Sequence, residues 1–244
     1  MIQAFPAPVY FLSDCHLPLI ARPGQEDWTP RVVRFLRERA VRAASLFLVG
    51  DLFDFWFEWR RSVPGAAFPV LAALHELVLG GRQVVFLAGN HDGHPGRFLE
   101  KEVGLTVSRV PIDADIDGRR FHIIHGDGLA PADRGYRILR AVIRWKPTEA
   151  LYRLLHPDAG IWFARQVSGL SQRMWSYEDK FGPEPYRQYA RRKLDEGFNY
   201  VVMGHRHKSE FIPHPNGGYL AIGEWIAKGT YGVYEDGELK LEIF

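Results

Sequence analysis

Five short stretches carry side chains suited to holding metal ions: SDCH (Ser13–His16), GDLFD (Gly50–Asp54), GNHD (Gly89–Asp92), HGD (His125–Asp127) and GHRH (Gly204–His207). They offer carboxylate oxygens, imidazole nitrogens and one amide oxygen, from Asp14, His16, Asp51, Asn90, His125, His205 and His207. That mixture suits Mn²⁺, Fe or Zn²⁺, whereas Ca²⁺ takes oxygen alone. Seven donors are too many for one tetrahedral ion. They suit two ions about 3.5–4 Å apart that share a carboxylate, an arrangement that activates water and clamps a phosphoryl group. A single Asp or His at a strand end is ordinarily a cap or a surface residue. Five such stretches in order are not explained that way.

The elements that position them can be read from apolar runs. Pro8–Asp14, Ser45–Asp51 and Arg82–Asn90 read as buried strands, with amphipathic helices at Pro30–Arg42 and Pro69–Val78 between them. Continuous apolar strands separated by helices predict a largely parallel, doubly covered sheet. Further strands are expected at Leu105–Val110, Phe121–His125, Tyr200–His205, Ser209–His214 and Gly218–Trp225, and a final hairpin over Gly229–Phe244 turns at Asp236–Gly237. Helical patterns fill Asp133–Lys193. The expectation is one α/β domain over residues 1–244, a four-layer α/β/β/α sandwich of two mixed sheets with flanking helices, carrying a helical cap inserted at about 130–197. Every metal-binding stretch closes a strand, and in α/β sheets ligands gather outside the carboxyl ends of strands. Asp14 and His16 are two apart, as are His205 and His207, so an extended backbone points each pair the same way. Cys15, between two donors, then points away and reads as a small buried apolar residue.

The ordered set D-x-H, GD-x-x-D, GNHD, H-G-D and G-H-x-H resembles that of the calcineurin-like metallophosphoesterases over nearly the whole chain outside the insertion. The resemblance implies one metal on Asp14, His16, Asp51 and His207. It implies a second on Asp51, Asn90, His125 and His205, with Asp51 bridging, and it favours Mn²⁺. It further implies that Asn90, His91 and His205 meet the substrate. His91 contacts the phosphoryl oxygen or protonates the leaving group, and Asp54 orients it. A carboxylate beside an imidazole favours the protonated form that a general acid needs. Asp92 reads either as a turn cap or as part of the site.

Specificity lies outside the metal ligands. The spacing His125-x₇-Asp133-x₂-Tyr136, followed by Arg137 and further basic residues on a helix, resembles the UDP-2,3-diacylglucosamine hydrolases of the lipid A pathway. GDLFDFW (Gly50–Trp56) and Leu220–Leu239 resemble them too. The resemblance implies Asp133, Tyr136 and Arg137 as substrate-binding residues. It implies attack of water on the α-phosphate of a UDP-linked diacyl sugar, giving UMP and the acylated sugar 1-phosphate. The best-known members carry arginine where His91 stands, so a phosphodiesterase or nucleotide pyrophosphatase acting on a soluble substrate is the alternative. A binding module without turnover would be expected to have lost ligands, and here all seven positions are filled.

Charge supports an anionic partner. Ala130–Lys193 holds 13 Lys/Arg against 6 Asp/Glu, while the rest of the chain holds 18 against 23. A phosphorylated substrate, or the anionic inner-membrane surface presenting it, is drawn to the basic segment. No nucleic-acid module is recognisable, so nucleic acid is not expected as a partner. A single cysteine, no signal-peptide pattern and no apolar run near the ~18–20 residues of a spanning helix place the protein in the cytoplasm, with at most peripheral membrane contact.

Overall fold

The computed structural model describes residues 2–19, 27–130, 145–164 and 182–244. Its strands are β1 (Gln3–Phe5), β2 (Val9–Leu12), β3 (Ser45–Val49), β4 (Gln83–Leu87), β5 (Thr106–Ser108), β6 (Ile112–Ile116), β7 (Arg119–Ile124), β8 (Tyr200–Met203), β9 (Glu210–His214), β10 (Gly217–Ala221), β11 (Thr230–Glu235) and β12 (Glu238–Ile243). One sheet runs β1-β6-β7-β8-β10-β9 and the other β12-β11-β2-β3-β4-β5. Both are mixed. The central pairs β2–β3, β3–β4, β7–β8 and β8–β10 are parallel, and antiparallel strands lie towards the edges.

The apolar runs are continuous because both faces of these strands are covered. From β2, β3 and β4, Phe11, Phe47, Val49, Val85 and Leu87 face the other sheet, where they meet Phe121, Ile123, Val202 and Leu220. The alternate residues Tyr10, Leu12, Leu46, Leu48, Val84 and Phe86 pack with α1 (Thr29–Glu38) and α2 (Phe68–Leu79). Across the molecule, Val201, Met203, Tyr219 and Ala221 pack against Tyr186, Ala190 and Leu194 of α4 (Glu184–Asp195). The order is therefore helix, sheet, sheet, helix. α4 falls inside the 130–197 span that the sequence reading assigned to the insertion, yet it supplies the outer layer of a sheet.

Two strands escaped the sequence reading. β1 has three residues, and β6 (IDADI) places aspartates in an element that disfavours them; the two pair in parallel, Gln3 opposite Ala114. Elsewhere the expected strands are trimmed. β2 stops at Leu12, β3 at Val49 and β8 at Met203, which leaves the metal-binding motifs in loops. Within the expected insertion, α3 (Lys146–Tyr152) and residues 157–164 are helical. This part rests on the loop after β3. Trp59 Nε1 donates to the Leu155 carbonyl (3.1 Å), and Tyr152 packs edge-on against Phe57 with centroids 4.7 Å apart. No helix among the described residues is long and apolar enough to cross a membrane.

Candidate metal centre

The loops after β2, β3, β4, β7 and β8 meet at one end of the sandwich. Asp14, His16, Asp51, His125 and His205 are buried, and Asn90, His91 and His207 are partly exposed. The pairs two residues apart do not converge by strand alternation. Asp14 (φ 52°), His16 (42°), Asp51 (54°), His205 (69°) and His207 (54°) all adopt left-handed backbone, five of the seven non-glycine residues that do so among those described. Each such residue costs of order 1–3 kcal/mol unless its surroundings fix it. Here the backbone N–H groups of Asp14 and His16 donate to the carbonyls of Gly50 (3.1 Å) and Asp51 (2.9 Å), which binds two of the loops together. Cys15, between them, is buried in the helix-side core as expected.

Three groups of side chains place ligand atoms within 4.8 Å of one another: Asp14 with His16 and His207, His16 with Asp51 and His91, and Asp51 with His125 and His205. His207 Nε2 lies 3.3 Å from Asp14 Oδ1 and 3.0 Å from His16 Nε2. His125 Nε2 lies 3.3 Å from Asp51 Oδ2 and 3.0 Å from Asn90 Oδ1. Asp51 Oδ2 is also 3.8 Å from His16 Nε2, so this carboxylate stands between the two ends of the cluster. The second ring nitrogen of His125, Nδ1, lies 2.9 Å from the Val49 carbonyl and donates to it, which leaves the Nε2 lone pair facing the cluster. The sequence-derived donors are thus all brought to one place.

This donor set fits divalent cations. Asp14 Oδ1 and Asp51 Oδ2 are buried and accept no hydrogen bond among the described residues. Burial opposes ionisation of both carboxyls. The imidazoles around them win: His16 and His207 hold Asp14 below the usual carboxylate range, and His125 and His91 do the same for Asp51. Burial opposes protonation of His125 as well, and the Asp51 charge overcomes it and pushes that imidazole up. Buried, unsatisfied carboxylate oxygens of this kind call for cations.

Other sequence-derived residues are placed differently. His91 sits beside His16, ring centroids 4.7 Å apart, and its backbone N–H donates to Asp51 Oδ1 (2.9 Å). Asp54 meets His91 through its main chain, since His91 Nδ1 donates to the Asp54 carbonyl at 2.9 Å. The Asp54 carboxylate lies 3.9 Å from His16 Nδ1. Asp133, Tyr136 and Arg137 lie outside the described residues.

The structure gives Asp92, which the sequence left open between a turn cap and a part of the site, a bracing role, and it adds two features that were not legible. Asp92 is fully buried and accepts the backbone N–H groups of Gly89 (2.7 Å), Asp51 (3.2 Å) and Leu52 (2.7 Å), which ties the GNHD loop to the GDLFD loop. Ser13 Oγ lies 2.6 Å from Asp14 Oδ2, and the His205 N–H donates to the same oxygen at 2.8 Å. Gly89 and Gly204 allow close approach: a Cβ on Gly89 would lie 2.1 Å from Asp51 Oδ1, and one on Gly204 2.8 Å from Asp14 Oδ2.

The sequence profile of the calcineurin-like phosphoesterases matches residues 7–209. This chain belongs to that family. It is accordingly a metal-dependent phosphoester hydrolase, and the family's divalent-metal chemistry agrees with the Asp/His groups found here. Relatives of this phosphoesterase include the UDP-2,3-diacylglucosamine hydrolase of Porphyromonas gingivalis, 27% identical with 96% of each chain covered. The enzymes of that name from Aeromonas salmonicida (29%, covering 95% of this chain and 91% of that one) and Stenotrophomonas maltophilia (30%, covering 90% and 92%) are similar to it as well.

Proposed function

We propose that this phosphoesterase hydrolyses the pyrophosphate of UDP-2,3-diacylglucosamine, releasing UMP and 2,3-diacylglucosamine 1-phosphate. The observation that carries the reading is the one cluster of Asp14, His16, Asp51, Asn90, His125, His205 and His207, in a chain of which relatives of that name match 90–96%. Asp14, His16, Asp51 and His207 would hold one divalent ion, and Asp51, Asn90, His125 and His205 the other, with Mn²⁺ the expected metal. Such a pair supplies a water of lowered pKa and Lewis-acid stabilisation of charge on the phosphoryl group.

The chain's own groups then have distinct tasks. The Asp51 carboxylate is fixed by the His91 N–H, and the His125 tautomer by the Val49 carbonyl, so neither reorganises during reaction. His91, anchored through Nδ1 on the Asp54 carbonyl, offers Nε2 to a phosphoryl oxygen or to the leaving oxygen. In this reading the task of Asp54 is carried by its main chain, and its carboxylate steadies His16. Asn90 and His205 face substrate as well as metal. Asp133, Tyr136 and Arg137, on the segment richest in Lys and Arg, bind the anionic substrate, and the cap over about 130–197 receives its acyl chains. The protein works in the cytoplasm, at the anionic face of the inner membrane where such a substrate resides.

The test is release of UMP from UDP-2,3-diacylglucosamine by Mn²⁺-loaded protein, beside UDP-N-acetylglucosamine and bis-p-nitrophenyl phosphate. Cleavage confined to the acylated substrate and lost in Asp51→Ala supports the reading. Equal or faster turnover of the soluble esters overturns it in favour of a soluble nucleotide or phosphodiester.

A further inference from the structure

A second feature suited to anions lies away from the metal centre. A cavity of about 1030 Å³ is bounded by the loop after β3, the segment following the GNHD motif, the β5 end and the C-terminal edge of α3. None of the seven candidate metal ligands lines it, and neither does His91. Six cationic side chains do: Arg60, Arg61, Arg97, Lys101, Arg109 and Arg153.

Their counter-charges are few. Of the three carboxylates in the wall, Glu58 is buried and already occupied, accepting the backbone N–H of Phe98 (2.8 Å) and Leu99 (3.4 Å) and the indole N–H of Trp56 (3.3 Å). Glu100 and Glu102 are exposed on the same turn as Lys101. Arg153 is paired with Glu149 at 2.6 Å, and Arg109 donates to the Pro95 carbonyl. Arg60, Arg61, Arg97 and Lys101 make no ion pair among the described residues. Arg60 and Arg61 come from the loop after β3, and Arg97 and Lys101 from the short helical segment that follows the GNHD motif, so their convergence is a product of the fold rather than of one charged run.

Arg60, Arg61, Arg97 and Lys101 are exposed and line one concavity, which gives it a positive potential that the walls of a cleft concentrate. Guanidinium groups recognise phosphate by paired N–H donors, and an ammonium adds a point charge. We propose that this cavity is a second binding site, distinct from the metal centre, for a phosphate-bearing anion held by Arg60, Arg61, Arg97 and Lys101. The same chemistry is offered by a phospholipid headgroup and by a free phosphorylated metabolite.

The experiment follows backbone amide shifts of full-length ¹⁵N-labelled protein, loaded with diamagnetic Zn²⁺, during titration with glycerol 1-phosphate. Co-sedimentation with phosphatidylglycerol or phosphatidylcholine vesicles is run in parallel. The expected result is saturable shifts at Gly96–Lys101, weakened at least tenfold by Arg97→Gln/Lys101→Gln and unchanged by Arg119→Gln, a control on β7. The double variant should keep its hydrolysis of bis-p-nitrophenyl phosphate. Vesicle binding that requires phosphatidylglycerol and is lost in the double variant identifies a lipid headgroup, whereas shifts without vesicle binding identify a soluble anion. Shifts confined to the metal-centre loops, or unchanged affinity in the double variant, would overturn the proposal.

Discussion

Asp92 offers the sharpest test of how the metal centre is held. Its Oδ1 accepts the N–H of Gly89 (2.7 Å) and Asp51 (3.2 Å), and its Oδ2 accepts that of Leu52 (2.7 Å). Asp92→Ala removes the acceptor that three buried N–H groups share, at about 1–3 kcal/mol for each bond lost before water or relaxation repairs any of them. A net loss of about 3–5 kcal/mol is expected, a large share of the roughly 5–15 kcal/mol that holds a domain together. Asp92→Asn is predicted to be milder. Its carbonyl keeps the two bonds made by Oδ1, and only the Leu52 N–H then faces an NH₂ group. Burial, reinforced by the charge of Asp51, pushes the Asp92 carboxyl up to about 7, so a neutral amide also relieves an unfavourable charge. The net cost should be about 1–2 kcal/mol. Urea unfolding followed by tryptophan fluorescence reads stability, and metal analysis of the dialysed protein reads the centre. With a slope of about 3 kcal/mol/M, Asp92→Ala should lower the midpoint by about 1–2 M and Asp92→Asn by about 0.5 M. An unchanged midpoint and full metal content in Asp92→Ala would refute the bracing role. Equal damage from both variants would mean that the charge, rather than the acceptor geometry, matters.

Four further outcomes are expected. In Gly89→Ala the new Cβ, 2.1 Å from Asp51 Oδ1, must displace the carboxylate shared by two of the ligand groups, so elemental analysis should show less than two metal ions per chain in a folded protein. His91→Ala should lower turnover by about 10²–10⁴-fold with metal content intact, as removal of a general acid does; loss of metal would make it a ligand. Chelation with EDTA should abolish activity and lower the melting temperature, and Mn²⁺ at a hundred times its Kd should return about 2.7 kcal/mol of stability. Trp59→Ala removes the donor to the Leu155 carbonyl and the ring against which Gly160 packs. Limited proteolysis should then cut within residues 145–164 faster than in the parent, while the rest of the chain keeps its resistance.

The sequence by itself determined the central strands, the helices over them and the chemistry of the site. SLFLV in β3 is buried throughout because it lies between a second sheet and a helical layer, and that environment leaves an unbroken apolar run in the sequence. The ligand types are legible for a similar reason: Asp, His and Asn directly after such runs have no packing role there. Only the tertiary structure decided how they meet. β6 pairs with β1 across more than a hundred residues, and no local pattern in IDADI announces a partner so distant. Five of the seven ligands sit in left-handed backbone after the strands end, a state that alternation along a strand does not foresee and that the loop-to-loop hydrogen bonds of Asp14, His16 and Asp92 hold in place. Asp92 itself stands in the GNHD motif and meets the ligand Asp51 through that residue's backbone N–H. Its acceptors are matched to amides 40 residues or more away in the chain as well as to Gly89, and such a match exists only once both loops are folded.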